Sequence, residues 1–303
     1  MSLDLLDNPP PWPGGARCAV ALTFDMDAES LVHLRHGAAA PGMIGASSAL
    51  RYGPRIAVPR LARIARAYDV PLTVYIPGWC VETYPDTVRL LAGEGHEIGH
   101  HGWLHERPNT LSPADEATVL LRGIEAIEQA TGARPRGYRA PAYAMSAETG
   151  RLLVAEGFAY DASLLGDDVP YMLDCAGGSL VELPSDYALD DWPQYVHMGE
   201  FSMAMPIRAP ERAMEVFRAE FDAAHRHGGL WVSVFHPFVS GRLARAEALC
   251  GLIEHMQAAG DVWFATMAEI AGHVAGLVER GEWTPRREAL PFWSAPVEPL
   301  VTP

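Results

Sequence analysis

The chain has 303 residues, of which 49% are hydrophobic and 20% are charged, enough for one large core or two small ones. Its formal net charge of -15 argues against the broad basic surfaces with which proteins bind nucleic acids or anionic membranes. The four cysteines are scattered without a C-x-x-C pair, a usage typical of buried thiols in a reducing compartment.

Three segments are predicted along the chain. Residues 1–15 form a proline-rich N-terminal arm, without the basic flank and apolar core of a signal peptide. Residues 16–280 form a single domain, and residues 281–303 form a proline-containing C-terminal tail. No apolar run is long enough to span a membrane. We therefore expect a cytoplasmic protein.

The domain opens with a strand that ends in carboxylates. Residues 16–25 are a nearly continuous apolar run, which is typical of a strand buried on both faces. Asp25 ends this run and Asp27 follows it, so on extended backbone the two side chains lean to the same side. Residues 30–54 are rich in Gly, Ala and Ser, and a stretch of this length predicts a functional loop rather than a plain connector.

Two helices and a strand then lead to residues 95–106, which hold four histidines in twelve residues. His96 to His100 matches the zinc-protease pattern H-E-x-x-H, whereas His101 and His105 form a second pair with the same spacing. The protease pattern needs a helix, and each of the three glycines in this stretch costs about 1 kcal/mol in a helix interior. We therefore predict a buried strand that ends at His100, with His101 and His105 at its carboxyl end.

The rest of the domain continues to alternate between strands and helices, about seven times in all. This alternation favours a parallel barrel or a wound sheet. Polar side chains follow the ends of the later strands: Arg139, Asp161, Glu182 and His236. In a parallel barrel these side chains gather at one mouth with the aspartates and histidines described above.

Gathered in this way, the residues suit metal-assisted hydrolysis. One carboxylate with two histidines makes a three-ligand metal site with an open position. The other carboxylate of the Asp25/Asp27 pair can take a proton from metal-bound water. Arg139 can hold that carboxylate ionised, and His236 can donate a proton to a leaving nitrogen.

Four motifs in this order resemble those of the polysaccharide deacetylase superfamily: Thr23-Phe24-Asp25-Met26-Asp27, His101-Gly102-Trp103-Leu104-His105, Arg139-Ala140-Pro141 and Phe235-His236-Pro237. The resemblance covers roughly residues 16–280 and implies an α/β fold, a distorted TIM-like (β/α) barrel with about seven parallel strands. It also implies one Asp-His-His metal site. Carried over, it makes Asp27, His101 and His105 the metal ligands. Asp25 becomes the base, Arg139 its tether and His236 the acid.

The chain departs from the extracellular sugar deacetylases, because Met26 separates the two aspartates and Gly102 follows the first metal histidine. Together with the long 30–54 insert and the 189–192 stretch, this resembles an intracellular branch. That branch includes tetrameric peptidoglycan deacetylases and relatives that act on allantoin and cyclic imides. We therefore expect a metal-dependent hydrolase of non-peptide carbon–nitrogen bonds that opens a small cyclic imide or ureide by attack of metal-bound water. An N-acetyl-sugar deacetylase, acting on peptidoglycan or chitooligosaccharides, is the alternative.

Zinc is the expected metal, although this ligand set also accepts Co, Ni, Mn or Fe. The expected partners are a small cyclic amide and further copies of the chain in a homotetramer, with no nucleic acid and no membrane. Candidate substrate-binding residues are Glu29, Trp103, Pro141, Tyr143, Asp161, Glu182 and Trp192. Asp161 and Glu182 are equally consistent with structural caps. A non-catalytic barrel is the remaining class, and the joint presence of Asp25, Arg139 and His236 argues against it.

Overall fold

A computed structural model of the protein describes residues 3, 5–199 and 203–296. Its strands are β1 Cys18–Asp25, β2 Leu72–Ile76, β3 Glu97–His100, β4 Gly137–Tyr138, β5 Tyr160–Asp161, β6 Tyr171–Cys175, β7 Gly178–Glu182, β8 His197–Met198, β9 Met203–Ala204, β10 Leu230–Val232, β11 Val262–Phe264 and β12 Arg287–Ala289. Its helices are α1 Ser30–His36, α2 Ile44–Tyr52, α3 Val58–Tyr68, α4 Gly78–Thr83, α5 Pro85–Gly93, α6 Pro113–Thr131, α7 Thr149–Ala155, α8 Trp192–Tyr195, α9 Pro210–His227, α10 Pro237–Ser240, α11 Leu243–Ala259 and α12 Met267–Glu279.

One curled sheet organises the domain. Its strand order is β10-β1-β2-β3-β4-β5-β7-β6-β12, and β11 pairs with β1. Seven strands, from β10 to β7, follow one another in parallel, while the β6–β7 hairpin is antiparallel. The predicted class, a single α/β domain built on a distorted parallel barrel, is confirmed. The division into arm, domain and tail stays a prediction.

The two faces of β1 pack into two different hydrophobic clusters. All eight of its residues are buried. Alternate side chains of a strand point to opposite faces, and here the large ones, Leu22 and Phe24, pack in the largest hydrophobic cluster with residues of the surrounding helices. The small ones, Ala19 and Ala21, join a second cluster with Tyr75 and Tyr160. Asp25 lies on the same face as these alanines and so ends the strand at the mouth of the barrel.

Residues 30–54, predicted as a loop, are helical, and the prediction was wrong in this respect. α1 and α2 occupy most of the stretch, joined by a short 3-10 turn over Gly37–Gly42. Leu31 and Val32 are buried in the main core, so tertiary packing stabilises helices that the glycine-rich composition obscures. The β6–β7 hairpin, α4 and β12 were also not predicted. No described helix combines the length and hydropathy that a membrane crossing requires.

Candidate active site and metal centre

Five buried polar side chains meet at the carboxyl end of neighbouring parallel strands. Asp25 ends β1 and Asp27 follows it, while His101 comes directly after β3 and Arg139 directly after β4. His236 follows β10, whose extension pairs with β1 at Phe24 and Phe235. The strand order β10-β1-β2-β3-β4 thus brings together residues that are more than 200 positions apart in sequence.

Asp27, His101 and His105 have the spacing of a metal site. Their ligand atoms all lie within 4.8 Å of one another. His101 Nε2 is 3.5 Å from Asp27 Oδ1, and His105 Nε2 is 3.8 Å from Asp27 Oδ2. Ligands held about 2.0–2.1 Å from a tetrahedral zinc ion lie about 3.4 Å apart. Asp27 Oδ1 is buried and has no hydrogen-bond partner among the described residues, so the three side chains fit a divalent cation.

Hydrogen bonding and burial hold both histidines in the form that binds a metal. His101 Nδ1 lies 2.7 Å from the carbonyl oxygen of Arg139, and donation there leaves Nε2 to face Asp27. Burial lowers the pKa of His101, and it places the pKa of His105 well below the ordinary value. Burial raises the pKa of Asp27 to about 8. A bound cation would offset this cost of burying a carboxylate.

Asp25 is bound to Arg139, and its other oxygen, Oδ2, lies 3.7 Å from His101 Nε2. Arg139 Nη1 donates to Asp25 Oδ1 at 2.7 Å and to Thr23 Oγ1 at 2.8 Å. The guanidinium also lies 4.2 Å from the centre of the Tyr75 ring. Burial raises the pKa of Asp25, but the positive charge of Arg139 and the neighbouring His101 outweigh it and bring the pKa below its usual value. Asp25 is therefore an ionised carboxylate at the mouth.

His236 is bound to a carboxylate that was not among the predicted site residues. Its Nδ1 donates to Asp191 Oδ1 at 2.7 Å, and Asp191 Oδ2 accepts from the backbone N–H of His236 at 2.9 Å and from Ser240 Oγ at 2.5 Å. Burial lowers the pKa of His236, but Asp191 outweighs it, and the pKa is raised to about 10. The Nε2 atom of the charged imidazole lies 3.7 Å from Asp27 Oδ2. From this position it can donate a proton to a molecule bound in the mouth.

Asp190, Asp191 and His236 form a second group whose ligand atoms lie within 4.8 Å of one another. It suits a cation less well, because Asp191 already binds His236 Nδ1 and Asp190 accepts from Trp192 N–H at 2.7 Å. The adjacent aspartates before Trp192 were the sequence signal for Asp191. Which of the two faces the histidine depends on the local turn, and composition does not reveal it.

The backbone around the site is unusually strained. Six non-glycine residues in the described chain have positive φ, and four of them flank the site: Ala28, His105, Ala142 and Tyr143, at 45°, 66°, 53° and 59°. Such conformations are uncommon for residues with a Cβ and cost of order 1–3 kcal/mol each. Ala28 follows Asp27, and Tyr143 follows the Arg139 motif. Strain is thus concentrated where side chains must be aimed into the mouth.

A cavity of about 610 Å³ opens above these residues. Tyr143 and Trp192, two of the predicted substrate-binding residues, line it. Tyr143 Oη donates to Asp190 Oδ2 at 2.7 Å, and the Trp192 ring lies 5.0 Å from that of His236. The other residues that line the cavity outside the polar cluster are Leu31, Leu34, Arg35, Arg107, Ala140, Ala142, Tyr187, Asp190, Pro193, Met203 and Val234.

Three other predicted substrate-binding residues do not line this cavity. Glu29 accepts from Tyr84 Oη at 2.5 Å and pairs with Arg51 at 3.1 Å. Trp103 lies under the guanidinium of Arg122 at 4.4 Å. Pro141 is buried beside Gly102 and precedes the strained turn that carries Tyr143.

Asp161 and Glu182 are fully buried and also lie outside the cavity lining. Ser163 Oγ donates to Asp161 Oδ1 at 2.7 Å and accepts from Ala140 N–H at 2.7 Å, while Glu182 Oε1 accepts from Leu164 N–H at 2.9 Å. Burial raises the pKa of both carboxyl groups, that of Glu182 further because Asp161 lies beside it. They fix the loops behind Arg139.

The protease register of the histidines does not form, because residues 97–100 are a strand. His100 Nε2 lies 3.0 Å from the Leu120 carbonyl oxygen, and its Nδ1 accepts from Gly102 N–H at 3.1 Å. Burial lowers the pKa of His100 to about 3, so the ring is neutral. His96 Nδ1 accepts from Leu72 N–H at 3.3 Å. Both rings therefore serve the packing of β3.

The chain resembles proteins of one family in sequence and in structure. The family described as polysaccharide deacetylase matches residues 50–160. A crystal structure from Mycobacterium smegmatis, of a protein assigned to the polysaccharide deacetylases, is 42% identical, covers 98% of this chain and 99% of its own, and has a TM-score of 0.87. The peptidoglycan deacetylase of Helicobacter pylori is 28% identical over 246 residues, 73% of this chain and 84% of the relative. An allantoinase structure, 24% identical over 90% of this chain and 95% of its own with a TM-score of 0.78, shares the fold.

Proposed function

The chain belongs to the polysaccharide deacetylase family, whose members hydrolyse carbon–nitrogen bonds other than peptide bonds, and we propose that it is a metal-dependent enzyme that opens a small cyclic imide or ureide. The observation that carries the substrate size is the cavity. Its volume of about 610 Å³ falls within the range of about 300–1,000 Å³ that is usual for small-molecule sites. Leu31, Leu34, Tyr187 and Trp192 give it apolar and aromatic walls suited to a flat ring.

In this proposal Asp27, His101 and His105 hold the divalent cation. When bound, the cation supplies Lewis acidity toward the carbonyl oxygen and acidity to a water molecule. Zinc is the metal we propose, on the basis of two imidazoles and one carboxylate. A homotetramer in the cytoplasm is the assembly and location we propose, from the resemblance of the 30–54 and 189–192 stretches to the intracellular branch.

The protein's own groups divide the proton transfers between them. Asp25, ionised beside Arg139, is placed to accept a proton from the attacking water. His236, charged because Asp191 faces its Nδ1, is placed to donate a proton to the nitrogen that leaves. Both groups adjoin the proposed metal ligands, since Asp25 Oδ2 lies 3.7 Å from His101 Nε2 and His236 Nε2 lies 3.7 Å from Asp27 Oδ2. Their pKa values are displaced in opposite directions from neutrality. This separation supports Asp25 as the base and His236 as the acid.

An N-acetyl-sugar deacetylase is the second candidate. It would use the same base, acid and metal ligands, and the name of the Helicobacter pylori relative favours it. It requires that a sugar polymer, rather than a single ring, enter between α1 and the segment around Trp192. The two candidates therefore differ in the size of the substrate and in the product, an opened ring or free acetate.

Both reactions can be measured on one purified, metal-loaded sample. We expect ring opening of succinimide, phthalimide or allantoin, and no acetate release from chitooligosaccharides or peptidoglycan. Asp25→Asn serves as the control for contaminating activity, because it removes the proposed base. Acetate release from a sugar oligomer, with no ring opened among the imides and ureides tested, would replace the first candidate with the second.

A further inference from the structure

The cavity has a distribution of charge that the proposed reaction does not use. Among the described residues that line it, the carboxylates are Asp25, Asp27 and Asp190, and all three are buried. The two arginines, Arg35 and Arg107, are exposed. Negative charge therefore lies on the floor of the cavity, and positive charge lies toward its opening.

The carboxylates on the floor already have partners. Asp25 is bound to Arg139 at 2.7 Å, and Asp190 accepts from Tyr143 Oη at 2.7 Å. Asp27 faces His101 and His105. These contacts and the proposed cation balance the charge of the floor, so the floor does not compensate Arg107 at the opening.

Arg107 is the stronger of the two candidates for binding an external group. It follows the candidate metal ligand His105 by two residues, and both residues line the cavity. Within the part of the chain that the structure describes, Arg107 takes part in no salt bridge, and it differs from other exposed arginines such as Arg63 in that it lines the cavity. Arg35 comes from the last turn of α1 and lines the same cavity.

The acidic net charge of the chain makes a local positive charge at the cavity opening significant. It carries 38 acidic side chains and 23 basic ones, so its general field repels anions. A guanidinium at the cavity opening reverses that field locally and presents a fork of donors that matches a carboxylate. A neutral substrate would gain nothing from this placement.

Resting on the proposed function, we propose that Arg107 forms an anion subsite at the opening, which Arg35 also lines, and that the preferred substrates carry a carboxylate beside the ring that is opened. The carboxylate lies at Arg107 while the ring carbonyl lies over Asp27, His101 and His105. The subsite determines which imides or ureides are chosen, and it takes no part in the proton transfers.

The test compares matched substrates across variants. Phthalimide, its ring-carboxylated derivative and the methyl ester of that derivative differ little in shape, and the ester removes only the charge. We expect the wild type to have a higher kcat/KM for the carboxylate than for the ester. Arg107→Met should reduce this preference about fivefold, the factor that corresponds to an exposed ion pair, and the double variant with Arg35→Met should reduce it further. The preference should also weaken at high salt.

Arg63→Met is the matched control, because Arg63 is exposed on α3 and does not line the cavity. It should retain the full preference. An unchanged preference in both Arg107 variants, or no preference in the wild type, would overturn the subsite while leaving ring opening intact. If no imide is opened at all, the proposed function fails, and the same comparison between neutral and carboxylated N-acetyl sugars then decides the subsite on its own.

Discussion

Two polar clusters of this barrel, an inner one and one at the mouth, differ in how fully the protein satisfies their hydrogen bonds. The inner cluster centres on Glu97, which accepts from Tyr160 Oη at 2.8 Å, Thr73 Oγ1 at 2.9 Å and Ala268 N–H at 2.9 Å. In the mouth cluster, Asp27 Oδ1 is buried and has no hydrogen-bond partner among the described residues. A buried polar atom without a partner is costly, so the inner cluster is satisfied by protein alone and the mouth cluster requires something more.

The two clusters are also held differently. Tyr75 and Tyr160 fill the interior, and a Cβ at Gly137 would lie only 1.8 Å from the Tyr160 ring. At the mouth, by contrast, residues such as His105 and Tyr143 have positive φ, a strained backbone conformation for residues with a Cβ. Arg139 joins the clusters, since it lies over the Tyr75 ring and binds Asp25. Packing thus fixes the interior, while strain and unmatched charge mark the mouth as the functional end.

The largest effect is expected at the mouth. Asp25→Asn removes the proposed base but leaves Asp27, His101 and His105 in place. The rate should fall by roughly 10²–10⁴, the usual contribution of a positioned base, while the metal content stays at the wild-type level. Steady-state kinetics and metal analysis of the same preparation check this. Equal loss of metal in Asp25→Asn and Asp27→Asn would show that the two aspartates share the ligand role.

Asp191→Asn should move the pH profile. His236 must be protonated to act as an acid, so activity is present below its pKa and is lost as the pH rises through it. Because Asp191 contributes to raising that pKa to about 10, the variant should lose activity at a lower pH than the wild type. A profile of kcat/KM between pH 6 and pH 11, with about a tenfold loss near pH 9, is the expected result. An alkaline limb that does not move would remove His236 from the acid role.

Gly137→Ala tests the inner cluster. The added methyl group would collide with the Tyr160 ring, and overpacking of this kind costs about 1–3 kcal/mol. We expect a lower Tm with normal metal content per folded chain. Gly272→Ala in α12 is the control, since nothing lies within 4 Å of a Cβ there and alanine favours a helix. Equal destabilisation in both variants would mean that the tyrosine packing is not responsible.

Tyr75→Phe should have the smallest effect. It removes the 3.0 Å hydrogen bond between the hydroxyl groups of Tyr75 and Tyr160, but it keeps an aromatic ring over Arg139. The free energy of unfolding should fall by about 0.5–1.5 kcal/mol, measured by chemical denaturation. Tyr75→Leu removes the aromatic ring as well as the hydroxyl group. If the catalytic rate falls in Tyr75→Leu but not in Tyr75→Phe, the ring helps to position Arg139.

Some of this arrangement could be predicted from the sequence. The apolar run that became β1, the glycines that exclude a helix at 97–100 and the capped start of α6 at Ser112 are local signals. Because these residues follow strand ends, the predicted parallel topology alone places them at one mouth: Asp25, Asp27, His101, Arg139 and His236.

What could not be predicted depends on tertiary contacts. The helices within residues 30–54 form because residues such as Leu31 are buried, and the sequence there has no helical periodicity of apolar residues that would predict them. Asp191 stands in an Asp-Asp pair whose sequence does not show which member faces His236, and Arg107 carries no motif that separates it from other charged residues in loops. Glu29 and Trp103 follow site residues in sequence, yet their side chains are taken up by Tyr84 and Arg122. Proximity in sequence therefore predicts site residues that the structure places elsewhere, such as Glu29 and Trp103. It also misses Asp191 and Arg107, which lie far from the motifs or carry none.

The central claim is that Asp27, His101 and His105 bind a metal that completes the mouth. Metal content by mass spectrometry of purified variants tests it most directly. The wild type should hold about one divalent ion per chain. His105→Ala and Asp27→Asn should lose it, and His96→Ala, which alters a ring that packs against β2, should keep it. Retention of metal by His105→Ala together with its loss from His96→Ala would contradict the account.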